Sequence, residues 1–130
     1  MRLYTVDEAR SILPEVIAVV SELRDAFVEL RALQASVEAQ LRGASGDGHL
    51  LADPFDESGD NRMEHLKAVV QRAAANLDRR GIEVKDPDRG LIDFFSERAS
   101  RVVYLCYLLG EPDLKYWHEL HGGFAGRQPL

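Results

Sequence analysis

A chain of 130 residues with 45% hydrophobic and 29% charged side chains is long enough to bury one core without disulfides or a structural metal, so a single domain over residues 1–130 is expected. The formal net charge of −6 provides no basic face for phosphate backbones, which sets nucleic-acid binding aside. One cysteine, Cys106, excludes an internal disulfide and a Cys-rich zinc module and fits a reducing cytoplasm. The opening MRLYTVDEAR has no apolar signal core and no stretch approaches the roughly 18 apolar residues of a membrane span, so a protein neither secreted nor membrane-embedded is expected. The acidity is uneven: residues 1–60 carry 5 Lys/Arg against 12 Asp/Glu, and residues 61–130 carry 11 against 10.

Taken in order, the first element is a long helix over residues 5–42. Thr5-Val6-Asp7-Glu8 is a capping box in which the Thr hydroxyl and the Glu side chain each satisfy the other residue's amide. From Val6 through Ala9, Leu13, Val16, Val20, Leu23, Phe27 and Leu30 to Val37 and Leu41, apolar residues recur at alternating three and four spacings, a coiled-coil-like seam for a partner helix. Pro14 removes one amide and should bend this helix without ending it. Gln34 interrupts the seam, either as a register-setting polar contact or because the seam is leaving its partner. Residues 43–55, GASGDGHLLADPF, read as a loop, with His49 and Asp53 as isolated metal-ligand types on it.

A second helix is expected over residues 56–80. Met63, Leu66, Val70, Ala73 and Leu77 repeat the spacing, Arg79 and Arg80 suit the negative end of the dipole, and Gly81 suits a left-handed C′ position. The two helices form an antiparallel hairpin. No Glu-x-x-His pair is present, which argues against a di-iron bundle.

After Gly81 the period changes from helical to alternating. Residues 82–85 and 91–95 read as strands around the turn Asp86-Pro87-Asp88-Arg89-Gly90, residues 96–100 as another turn, and RVVYLCYLL over 101–109 as a central strand apolar on both faces. One face covers the helices. The other, either Val102, Tyr104, Cys106 and Leu108 or Val103, Leu105, Tyr107 and Leu109, needs a cover from the C-terminal tail or a second subunit. Residues 114–118 return as a short strand, and the tail over 120–130 is too glycine-rich for a regular element. The fold class is therefore α+β, a long helical hairpin packed on a small antiparallel β-meander of three or four strands within residues 81–119.

At this point the chain resembles the uncharacterised, mostly bacterial family called domain of unknown function 2203. The resemblance rests on Tyr4-Thr5-Val6-Asp7-Glu8-Ala9 with Leu13-Pro14, then Gly81, Lys85-Asp86, Gly90-Leu91, Asp93-Phe94, Leu105-Cys106, Gly110-Glu111, Trp117-His118, Gly123-Phe124 and Gly126-Arg127. Tyr107 departs from it, standing where the family is associated with Trp, and bears on the shape of any pocket there. The resemblance implies the same hairpin and sheet and carries no reaction with it.

Within that stretch, Asp93, Cys106, Glu111 and His118 include ligand types suited to a soft or borderline divalent metal, with His121 as a further donor if the end of the chain is helical. The bland alternative makes Cys106 a core residue, Asp93 a turn cap and His118 an anchor for the tail. Arg127 among glycines can cradle an anion or form an internal salt bridge to Asp86, Asp93 or Glu111, so Lys85, Asp86, Glu111 and Arg127 are the candidate ligand-binding set. No phosphate loop, dinucleotide fingerprint, zinc-peptidase motif or serine-nucleophile elbow is present, and a cysteine within an apolar strand is a poor nucleophile. The first functional expectation is an oligomeric cytoplasmic interaction or scaffold protein, a homodimer that also meets protein partners through the hairpin. The alternative is a metal- or small-anion-binding protein centred on the C-terminal β region, with an enzyme on the same residues third.

Overall fold

The computed structural model describes residues 1–47 and 57–130. Helix α1 (Val6–Asp47) and helix α2 (Glu57–Arg79) form the hairpin, followed by β1 (Ile82–Asp86), β2 (Leu91–Arg98), β3 (Arg101–Leu108), β4 (Tyr116–His118) and β5 (Gln128–Pro129). The strands make one antiparallel sheet in sequence order. The expected α+β class therefore holds, with five strands in place of three or four. The extra strand corrects the reading of the tail: glycine content made it look irregular, but a short 3-10 turn at Phe124–Gly126 redirects the chain so that Gln128 pairs with Trp117.

The capping box forms as expected, with the Thr5 amide 2.9 Å from the Glu8 carboxylate and the Glu8 amide 3.0 Å from the Thr5 hydroxyl. The 42-residue α1 is about 63 Å long and continues through Pro14. It also runs past the expected end at Arg42, because one glycine, Gly43, costs a helix only about 1 kcal/mol relative to alanine. The remainder of the expected loop, with His49 and Asp53, lies outside the described residues. Gln34 is exposed, so the seam is leaving its partner there.

The core lies between the hairpin and one sheet face. Ala9, Leu13, Val16 and Val20 of α1 and Ala73 and Leu77 of α2 pack with Ile92, Phe94, Val103, Leu105 and Tyr107. This decides which alternating set of β3 faces inward. Tyr107 belongs to it, with its hydroxyl donating to the Glu111 carbonyl at 2.9 Å; a change of aromatic there alters the core and not the opposite face. A smaller cluster of Ala26, Leu30 and Leu66 closes the hairpin further out.

The β2–β3 turn is tighter than expected. Residues 96–98 remain in β2, and only Ala99 (φ 52°) and Ser100 (φ 63°) turn the chain. Two consecutive left-handed residues match the twist of a two-residue hairpin, a geometry that normally signals itself through Asn-Gly. The N-terminus is tied to the same strand: the Tyr4 amide donates to the Phe95 carbonyl at 2.7 Å and the Ser96 hydroxyl to the Tyr4 carbonyl at 2.6 Å.

Candidate metal centre

Antiparallel register places Asp93 of β2 directly opposite Cys106 of β3, and Tyr104 of β3 opposite His118 of β4. Residues two apart on a strand share a face, so Asp93, Cys106 and His118 meet on the side of the sheet turned away from the helices. A carboxylate oxygen, the thiol sulfur and an imidazole nitrogen lie within 4.8 Å of one another. The three residues are 1%, 0% and 2% exposed.

The hydrogen bonds orient these groups. His118 Nδ1 is 2.7 Å from the Glu119 carbonyl, which can only accept, so Nδ1 carries a hydrogen. Nε2 lies 3.1 Å from both oxygens of Asp93, and the contact is satisfied when one proton sits between ring and carboxyl. This tautomer leaves Nε2 as the nitrogen able to accept a proton or a cation, with a backbone carbonyl fixing the ring from behind. Burial raises the Asp93 pKa above the usual carboxylate range, partly offset by the Cys106 thiol and by His118. Burial, reinforced by the Asp93 charge and the hydrogen bond to it, pushes the Cys106 thiol up to about 12.

Without a cation the sulfur is therefore a protonated core thiol and not a nucleophile. Thiol titration with a disulfide reagent at pH 8 is expected to leave Cys106 unreacted in the folded protein and to detect one thiol per chain after denaturation. Rapid labelling of folded protein would place the sulfur at the surface.

A divalent cation changes this balance. Carboxylate, thiolate and imidazole together suit zinc or a similar borderline ion. Bond lengths of about 2.0–2.3 Å put tetrahedral ligands roughly 3.3–3.6 Å apart, so the cluster needs to contract by little more than about 1 Å. The ion would displace the thiol proton and the proton shared by Asp93 and His118, and its two positive charges would balance the thiolate and carboxylate so formed.

The remaining candidates divide. Lys85 on β1 donates to the Glu83 carboxylate and lies 3.2 Å from the Tyr104 hydroxyl. It borders a cavity of about 220 Å³ whose floor includes Asp93 and His118. His121 stands on the wall of that cavity, in the turn after β4, outside the three-residue cluster. Asp86 is elsewhere, accepting from Arg89 at 2.8 Å and from the Asp88 amide at 3.1 Å. Arg127 does not form an open anion cradle. Its guanidinium is 2.6 Å from Glu111 and stacks on Tyr116 and Phe124 at 4.0 and 4.7 Å, while Glu111 also accepts the Leu108 amide at 2.6 Å. The four residues expected to bind a ligand thus do not converge, and only Lys85 reaches the cavity.

Tyr104, Leu91, Leu120 and Phe124 complete much of its wall. None of these four is marked as a binding residue by the sequence alone. The signal that finds Tyr104 is register: once the turn is confined to Ala99 and Ser100, Asp93 and Cys106 stand equally far from it, and Tyr104 follows by alternation.

A helical hairpin covering one face of a five-stranded meander, with buried Asp, Cys and His gathered on the other, defines an α+β protein with a centre of metal-ligand type. The chain belongs to the family described as "Uncharacterized conserved protein (DUF2203)", whose model matches residues 2–130. No curated protein and no solved structure matches the chain.

Proposed function

We propose that this protein binds a divalent transition metal of zinc-like preference through Asp93, Cys106 and His118. The observation carrying the reading is the meeting of three different ligand types, buried on three strands, within 4.8 Å. Packing alone would favour apolar residues at such positions, since buried ionisable groups are costly unless paired. Metal-stripped protein titrated with Zn²⁺ in a calorimeter is expected to take up one ion per chain. Cys106→Ser is expected to weaken binding by at least about 100-fold, more than loss of an outer-shell partner costs. No uptake by the natural sequence, or an unchanged affinity in the serine variant, would refute the assignment. A lone buried thiol with no disulfide partner fits a reducing cytoplasm as the setting.

A second reading, an association role for the hairpin, has a separate support. Towards the outer end of the hairpin the helices are joined by the Arg62–Glu29 ion pair and by Leu33 against the cluster of Ala26, Leu30 and Leu66, while the α1 seam continues to Val37 and to Leu41, which is 44% exposed. A homodimer built on that extension would scatter light at twice the chain mass. A monomer at micromolar concentration would reject it.

A further inference from the structure

Resting on the metal-binding reading, we infer that the remaining coordination position takes a short-chain aliphatic monocarboxylate, admitted through the cavity beside Lys85. The sheet supplies three donors, and a tetrahedral ion holds four; three protein ligands with an open position is the arrangement of zinc sites that handle exchangeable ligands. Asp93 and His118 form the cavity floor, whereas Cys106 is not part of the wall. An ion held among the three therefore turns its open position toward the cavity, and away from the sulfur.

The cavity has two unlike sides. Lys85, Tyr104 and His121 provide the polar one. The Lys85 ammonium has three hydrogens, and its contacts to Glu83 and Tyr104 use two. Glu83 answers the lysine charge from outside the cavity wall, and the metal with its thiolate and carboxylate is neutral, so no uncompensated acid inside the cavity opposes an anion. Leu91, Leu120 and Phe124 provide the apolar side. One carboxylate oxygen would replace a metal-bound water, the other would face Lys85, and the hydrocarbon would lie on the leucines and the ring.

Size sets the chain length. A volume of about 220 Å³ has room for the six non-hydrogen atoms of butyrate. Two methylenes more than acetate, partly buried against Leu91, Leu120 and Phe124, favour butyrate up to about tenfold. A dicarboxylate of similar length is disfavoured because its second charge finds no counter-charge beside the half-exposed Leu120 and Phe124.

The test is titration of cobalt(II)-loaded protein with sodium butyrate, acetate and succinate, followed by the visible ligand-field bands. The expected result is a saturable band shift, with butyrate up to about tenfold tighter than acetate and succinate weakest. Lys85→Met is expected to weaken butyrate about tenfold and cobalt less than about threefold. Leu120→Trp, which fills the cavity from the apolar side, is expected to abolish the butyrate shift and retain cobalt. Cobalt bands that butyrate does not move, or that respond equally in all three proteins, would overturn the carboxylate site and leave the metal reading standing. Absence of a sulfur-to-cobalt charge-transfer band in the natural protein would overturn both.

Discussion

His118→Ala is expected to destabilise the metal-free protein by about 3–5 kcal/mol, the range for removing one member of a buried polar pair. Three losses coincide. Asp93, 1% exposed, keeps its carboxyl in a dry site without the ring 3.1 Å away. The Glu119 carbonyl loses its donor at 2.7 Å. Tyr104, whose ring centroid is 5.3 Å from the imidazole, loses a stacking neighbour. Asp93→Asn is expected to cost less, about 1–2 kcal/mol, because its amide can donate to Nε2 and its carbonyl can accept from the Cys106 thiol. Both variants are expected to lose high-affinity metal binding, so urea denaturation beside zinc calorimetry separates the centre's contribution to folding from its contribution to ligation. Equal stability of His118→Ala and the natural protein would show that the pair contributes nothing to the fold.

Gly90→Ala is expected to cost about 2–4 kcal/mol, combining left-handed strain with overpacking. Gly90 has φ +70°, and an added Cβ would stand 2.8 Å from Leu109 Cβ, 3.0 Å from Leu109 Cδ2 and 3.2 Å from Val20 Cγ1. The position joins the β1–β2 turn to α1, and its carbonyl accepts the Leu109 amide at 3.0 Å. Neither side can yield easily, since Val20 is in the core and Leu109 packs against it. Gly110→Ala is the control: φ is +104° but no atom lies within 4 Å of the added carbon, so strain alone is expected to cost about 1–2 kcal/mol. If thermal or urea unfolding shows the two losses equal, the clash at Gly90 is being relieved by movement of Leu109.

The helical hairpin was legible because its signals are local. Thr5 and Glu8 cap each other within one turn, and the three-four seam from Ala9 to Leu30 is the buried face observed except at Phe27, where Ala26 is buried instead. The strands were legible from alternation, but their number was not. Gln128 and Pro129 carry no strand signature of their own and join the sheet because Tyr116 and Trp117 present a free edge. The cover for the outer face was sought in the tail or in a second subunit, and tail residues do lie there. Phe124 borders the cavity, and the stacked Arg127 guanidinium lies 3.4 Å from the Cys106 carbonyl.

The candidate centre shows the same division. Residue chemistry alone marked Asp93, Cys106 and His118 as metal-ligand types together with Glu111 and His121, and Lys85, Asp86, Glu111 and Arg127 as a separate ligand-binding set. Choosing among them required knowing which side chains share a face and a row. The chain by itself determined the α+β class, the long capped helix, the turn at Gly90 and the set of residues able to ligate, because capping, periodicity and turn chemistry act over a few neighbouring residues. Only the tertiary structure decided that Asp93 faces Cys106, that His118 closes on them from a third strand, and that Arg127 is neutralised by Glu111. Strand register is set by the two-residue turn and by burial of one sheet face against the helices, and a slip of one residue would send each of these side chains to the other side.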